Sequence, residues 1–153
     1  MSSNPEEQLW NEVYDQRARF YENNFGPIPK EIMKIQELIG VWPGGGVIEL
    51  EAKLLGSDLR LYSTFGLTNP DMPTEATLSH NPDGTVTLSR KENRASYPGR
   101  AGYGYELLVL ARTQAEWPMW LLQWAVFAEL ANDADLLGRA REYGGLTVED
   151  IHA

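Results

Sequence analysis

The stretch Leu59-Arg60-Leu61-Tyr62-Ser63-Thr64-Phe65-Gly66-Leu67-Thr68-Asn69-Pro70-Asp71 runs from an alternating strand into a glycine turn and breaks at Asn69-Pro70. A tyrosine, a phenylalanine and a glycine within five residues place an aromatic wall beside a tight backbone turn, which serves packing or recognition equally well. Just upstream, Ile48, Leu50, Ala52 and Leu54 alternate with Glu49, Glu51 and Lys53, the pattern of a half-buried strand over Val47 to Leu55. Gly56-Ser57-Asp58 separates the two runs, so they are expected to pair as an antiparallel hairpin.

Further upstream, Asn4-Pro5-Glu6-Glu7 supplies an N-cap, a proline at the first helical position and early acidic residues, predicting a helix. Its buried stripe is Leu9, Trp10, Val13, Tyr14, Arg17 and Phe20 or Tyr21, ending at Gly26-Pro27. A shorter helix is expected from Pro29, with Ile32, Ile35, Leu38 and Ile39 on one side and Gly40 at its end. Trp42-Pro43-Gly44-Gly45-Gly46 lacks the Gly-Lys-Ser/Thr ending of a phosphate loop and reads as a flexible connection.

Downstream, Asp83-Gly84 between Thr77–His80 and Thr85–Ser89 predicts a second hairpin, and the polar Lys91–Arg100 segment a mobile loop. Leu107 to Ala111 is a nearly continuous apolar run, expected to be a central strand covered on both faces. Pro118 opens a helix running to Leu130 that is apolar on almost every side and so expected to be buried. Asn132 or Asp133 is expected to cap another helix, Ala134 to Tyr143, stopped by Gly144-Gly145, with a short strand over Leu146–Ile151. Helices, then strands, then helices predict an α+β domain with a mixed, largely antiparallel sheet flanked by helices.

A chain of 153 residues with 42% hydrophobic residues and five tryptophans has enough apolar surface for one self-sufficient core. With 22 acidic against 13 basic side chains, the net charge of -9 opposes binding to nucleic acid or anionic lipid, and it serves either to speed encounter with a basic protein partner or simply to keep the protein in solution. The absence of cysteine, of a leader-like start and of a spanning apolar run leads to the expectation of a cytoplasmic protein.

Chemistry-bearing patterns are scarce. His80 and His152 are the only histidines, no zinc or calcium spacing occurs, and there is no Gly-x-Ser-x-Gly elbow, so neither a metal nor a nucleophilic site is expected. Glu49 and Glu51 alternate on one strand face, as solvent-facing glutamates do. Glu106, beside the apolar run, needs a partner if buried. Either it is a structural acceptor, or it anchors a small-molecule pocket lined by Tyr62, Phe65, Tyr103 and Tyr105, which would make the chain a binder or an enzyme.

Three segments, Tyr62–Thr68 (Y-S-T-F-G-L-T), Gly102–Leu107 (G-Y-G-Y-E-L) and Trp117–Gln123 (W-P-M-W-L-L-Q), together resemble motifs of the suppressor of fused domain family, in the same order. The resemblance covers about Val47 to Leu130 and implies a mixed sheet flanked by helices, without a catalytic centre or cofactor. Animal members sequester zinc-finger transcription factors by gripping a peptide between two domains. Bacterial single-domain relatives include immunity proteins of polymorphic toxin systems. The length excludes the second domain and fits the bacterial type: a non-enzymatic domain that binds a protein, such as a basic toxin domain. Tyr62 matches the family's recognition tyrosine, and Asp71 loosely matches an acidic residue after it. Tyr103 and Tyr105 join them as expected partner contacts. The ending T-V-E-D-I-H-A departs from the family, whose members commonly continue with another strand, so residues 1–153 are expected to be one domain, either truncated at its C-terminus or simply shorter than its relatives.

Overall fold

The computed structural model describes residues 4–35, 42, 44–56, 58–70, 72, 74–93, 102–132 and 134–145. Its elements are α1 (Pro5–Asn24), β1 (Gly46–Glu51), β2 (Arg60–Phe65), β3 (Thr74–His80), β4 (Val86–Asn93), β5 (Leu108–Ala111), α2 (Trp117–Asn132) and α3 (Leu136–Tyr143). The fold is α+β, and both sheets it contains are antiparallel: a three-stranded sheet ordered β1-β2-β5 and the separate hairpin β3-β4.

β2 is the centre of the main sheet. Its alternate side chains divide two cores, as the period of a strand requires. Leu61 and Phe65, with Ile48, Leu50 and Ala52 of β1 and its turn, pack against Tyr14, Ala18 and Tyr21 of α1. Tyr62 and Val47 face the other way, toward Met119 and Leu122 of α2, joined by Val109 and Ala111 of β5. The sheet therefore lies between α1 and α2. A third cluster, Trp42, Leu67, Met72, Tyr103, Val126 and Leu130, fills the space beneath the turn after β2. β3 runs alongside α2.

Both hairpins form as their turns predict, with Leu50 opposite Leu61 in the first and Leu78 opposite Leu88 in the second. Several other expectations are corrected. No helix forms over 29–35; Met33 instead makes an isolated antiparallel bridge to Val47, so Ile32 packs beside β1. The glycines are not a flexible connection: a Cβ on Gly45 would overlap the Trp42 ring, one on Gly46 would strike Ile32 and Met33, and Trp42 is buried. Strand β1 stops at Glu51, leaving Leu54 and Leu55 exposed in the turn.

The largest correction concerns β5. It pairs with β2 and no other strand among the described residues, and Leu108 and Leu110 are 43% and 49% exposed. An apolar run is read from sequence as doubly covered, but α1 reaches only as far as β1 and β2. Nor is α2 wholly buried: Leu122, Val126 and Leu130 face the core, while Trp117 and Trp124 on its outer side remain exposed. α3 starts later than expected. Asp135, not Asn132 or Asp133, is its N-cap, with its side chain accepting from the Gly138 N–H, and Gly144 is its C-cap. The loop expected over Lys91–Arg100 is corrected at its start, where Lys91–Asn93 continue β4; its remainder, 94–100, lies outside the described residues, as do Leu38, Ile39 and Gly40 of the expected second helix, the expected strand at 146–151 and His152. No helix among the described residues is long and apolar enough to cross a membrane.

Gly102 adopts φ +54, and a Cβ there would collide with the carbonyl oxygens of Leu67 and Asn69. Gly84, in the β3-β4 turn, also has positive φ (+89) but open space around it. Gly102→Ala is therefore expected to cost about 3 kcal/mol in urea unfolding, against about 1 kcal/mol for Gly84→Ala, whose only cost is conformational. Equal losses would mean that the backbone packing under the turn is unimportant.

Candidate functional site

Glu106 sits on the segment leading into β5, its side chain only 7% exposed, and aims its carboxylate into the turn that ends β2. Oε1 accepts from the Thr64 hydroxyl (2.9 Å) and the Leu67 N–H (3.0 Å), and Oε2 from the Thr68 N–H (3.0 Å) and the Thr68 hydroxyl (2.6 Å). The Gly66 N–H lies 3.2 Å from both oxygens. Three consecutive backbone amides thus converge on one anion, an arrangement that works because Gly66, at φ +135, turns its N–H inward. A Cβ at Gly66 would also stand 2.7 Å from the Gly45 backbone.

A second charge closes the site from α1. Arg17, 7% exposed, donates from Nη1 to the Thr68 hydroxyl (2.9 Å) and to Asn69 Oδ1 (2.8 Å), and the same nitrogen lies 3.7 Å from Glu106 Oε2. Asn69 donates in turn to the Gly44 carbonyl (3.1 Å), and Trp42 Nε1 donates to the Gly66 carbonyl (3.0 Å). The guanidinium lies over the Phe65 ring, 4.2 Å from its centroid, while Nε and Nη2 are buried without a hydrogen-bond partner among the described residues. Burial pushes the Arg17 guanidinium below its ordinary value, and Glu106 opposes that shift. Two ions in such a site stabilise little relative to an apolar pair, but losing one partner strands the other at a cost on the order of 3 kcal/mol or more.

The sequence-derived site residues do not converge on one surface. Tyr62 is fully buried, and its hydroxyl accepts from the Ala115 N–H (2.9 Å), so it ties the centre of the sheet to the start of α2. The expectation that Tyr62 contacts a partner is corrected: alternation along β2 turns it to the α2 side, where Leu122 and Met119 cover it. Tyr103 is buried in the third core cluster and is corrected likewise. Tyr105 is half-buried and donates its hydroxyl to Glu129 in a short hydrogen bond. Asp71 lies outside the described residues. Phe65 packs in the α1 core, so the pocket of Tyr62, Phe65, Tyr103 and Tyr105 does not exist as a single cavity.

Sequence reasoning missed Glu129. It is 2% exposed and accepts from the Asp135 N–H (3.0 Å) and the Leu136 N–H (2.9 Å) as well as from Tyr105, fastening the start of α3 to α2. The available signal was that Glu129 is the only charged residue in α2. Glu49 and Glu51 also find a partner: Arg60 lies 2.6 Å from the first and 3.5 Å from the second, a partly exposed pairing worth at most about 1 kcal/mol. His80 is exposed. Among the described residues no cluster of histidine, aspartate and glutamate could hold a metal ion.

A groove of about 410 Å³ lies open to solvent between β5, α2 and α3. Leu107 and Val109 form one wall, Leu121, Trp124 and Ala125 a second, and Leu136, Leu137 and Ala140 the third. Glu106 borders it, but its oxygens are turned toward the Gly66 amides. Such a surface offers apolar contact and shape, with little to polarise a reacting bond. No protein-family model, curated protein or solved structure matches the chain. The likeness to the suppressor of fused family rests on its three motifs alone.

Two outcomes follow from the buried groups. Glu106→Gln, which sets amide hydrogens against amide donors, is expected to cost about 3 kcal/mol or more, and adding Arg17→Met should return about 1 kcal/mol by removing the stranded cation. Additive losses in a urea-unfolding cycle would show that the two ions are uncoupled.

Burial, reinforced by Glu106, raises the Tyr21 phenol, and burial with the Glu129 hydrogen bond raises Tyr105. Unfolded tyrosines release protons near pH 10.0, so above that value the folded state holds more protons and stability falls as pH rises. Tyrosinate absorbance should therefore show these two phenols ionising only together with loss of the circular dichroism signal. Full ionisation of a still-folded chain would contradict their burial.

Proposed function

We propose that this chain is a non-catalytic protein-binding domain of the immunity-protein type, whose partner is a basic toxin domain docking on the outer side of β5 and α2. The observation that carries this reading is the apolar surface left open there: Leu108 and Leu110 of β5 and Trp117 and Trp124 of α2 are all more than a third exposed, and Trp124 lines the groove. Tryptophan in such a position supplies large contact area at low conformational cost and is the side chain most enriched at energetically dominant interface positions. The net charge of -9 favours encounter with a basic protein, and the three motifs supply the family reading.

The competing reading, an enzyme or small-molecule binder anchored on Glu106, is less well supported. Five donors already share its two oxygens, leaving no lone pair aimed into the groove. A proton-transfer group needs a free oxygen within hydrogen-bond reach of its substrate.

The partner to test is the C-terminal domain of a large secreted protein encoded beside the gene. It should co-purify with the chain, lose its toxicity when the chain is present in equal amount, and bind Trp124→Ser at least about tenfold more weakly, or about 1.4 kcal/mol. Trp124→Ser, which gives up the covered part of the ring, should lower the thermal midpoint by a few degrees but leave the circular dichroism spectrum of the native state unchanged. A gene without such a neighbour, or a neighbouring toxin that stays active beside the chain, removes the immunity reading.

A further inference from the structure

The outer edge of β5 carries more information than an apolar patch. In an antiparallel ladder, alternate residues direct both backbone polar groups toward the partner strand and the intervening ones direct theirs away. The Thr64 N–H donates to the Leu107 carbonyl (2.9 Å), Leu107 N donates to the Thr64 hydroxyl (2.8 Å), and the register continues with Tyr62 opposite Val109 and Arg60 opposite Ala111. Leu107, Val109 and Ala111 therefore spend their amide and carbonyl groups on β2. Leu108 and Leu110 point theirs outward, and no hydrogen bond reaches them from the described residues.

The side chains at this edge are apolar on both faces of the sheet. Leu107 and Val109 face the groove bounded by Trp124, Leu136, Leu137 and Ala140, while Leu108 and Leu110 stand exposed on the α1 side, beyond the reach of that helix. An edge of this kind matches one shape: an extended backbone that supplies carbonyls and amides to Leu108 and Leu110, with apolar side chains at consecutive positions. The residue opposite Val109 would enter the groove, and its two neighbours would cover Leu108 and Leu110. A second copy of this chain is a poor occupant, because two surfaces of charge -9 repel on approach.

We propose that β5 is a strand-addition site that takes an extended, apolar segment of a basic protein partner as a fourth strand of the main sheet. This rests on the protein-binding reading above and names its mode, with recognition through the backbone of Leu108 and Leu110 and through the groove.

The probe is the peptide Lys-Leu-Val-Leu-Val-Leu-Lys, used with the full chain and followed by amide hydrogen exchange. In the free chain the Leu108 and Leu110 amides are expected to exchange near the open-chain rate, and saturating peptide should slow both at least about tenfold. The same peptide N-methylated at the alternate amides that face β5 keeps its side chains and loses its strand hydrogen bonds. It should bind at least about tenfold more weakly.

Slow exchange of both amides in a chain that sediments as a monomer would mean that the edge is already covered, and would overturn the proposal. Slow exchange in a chain that sediments as a dimer would assign the edge to a second copy and overturn it too. Equal binding of the two peptides, or no protection at millimolar peptide, would also overturn strand addition. The protein-binding reading would survive these results if the neighbouring toxin domain still binds. Conversely, failure of the toxin domain with success of the peptide would remove the immunity reading and leave the edge site standing.

Discussion

One carboxylate holds the middle of this molecule together. The segment Phe65–Asn69 leaves the sheet in a glycine turn that directs three consecutive amides, those of Gly66, Leu67 and Thr68, to one point, and backbone amides that converge without an acceptor are costly once buried. Glu106 supplies that acceptor from the segment entering β5, so the turn after β2 and the start of β5 are defined by a single group. Arg17 then joins α1 to the same point through Thr68 and Asn69. Removing the turn, the acid or the base leaves the other two without a reason to be where they are.

The three motifs that carry the family resemblance meet in this region, which gives them a physical account independent of any partner. Tyr-Ser-Thr-Phe-Gly-Leu-Thr is the central strand and its turn. Gly-Tyr-Gly-Tyr-Glu-Leu delivers the carboxylate, with Gly102 backed against the Leu67 and Asn69 carbonyls. Trp-Pro opens α2 two residues after Ala115, whose amide is held by Tyr62. Each motif is a contact surface for another. Their coincidence in order and type describes how the sheet is locked to its helices, and the tyrosines within them are spent on that locking.

How much of this was legible follows from what each signal depends on. α1 and the two hairpins rest on local chemistry, Asn4-Pro5 and the Gly56 and Asp83-Gly84 turns, and local chemistry is what a sequence displays. The stretch around Ile32 and Ile35 has helical spacing but becomes a bridge to Val47, because a neighbouring strand edge outcompetes a weak helical preference. Leu107 to Ala111 announces apolar surroundings but not whether the chain supplies them on both sides. Glu106 was readable as a buried acid in need of partners, yet its partners, being mostly backbone amides, leave no mark on residue identity. Glu129 showed only as the lone charge in an apolar helix, and its role depends on where α3 begins, which is a tertiary fact.

The position of the exposed apolar surface follows from the same constraint. With Tyr62 and Tyr103 committed to the core and the turn closed by Glu106 and Arg17, the motif side chains left to meet another molecule are Trp117 and Gln123 of α2 and, at the rim of the groove, Tyr105. On the strand-addition proposal, recognition falls outside the motifs, at β5. An uncovered apolar edge strand is ordinarily a hazard, since its free backbone groups template pairing with any other chain, and proteins usually blunt such edges with charge or proline. Here the four residues of β5 carry neither. Among the described residues, what opposes self-pairing is the net charge of -9, which acts over about a Debye length, roughly 8 Å at physiological salt, against a second copy and in favour of a basic protein. Under that proposal, such an edge discriminates by sign of charge before contact is made, and that ordering favours capture of a basic partner over contact between copies.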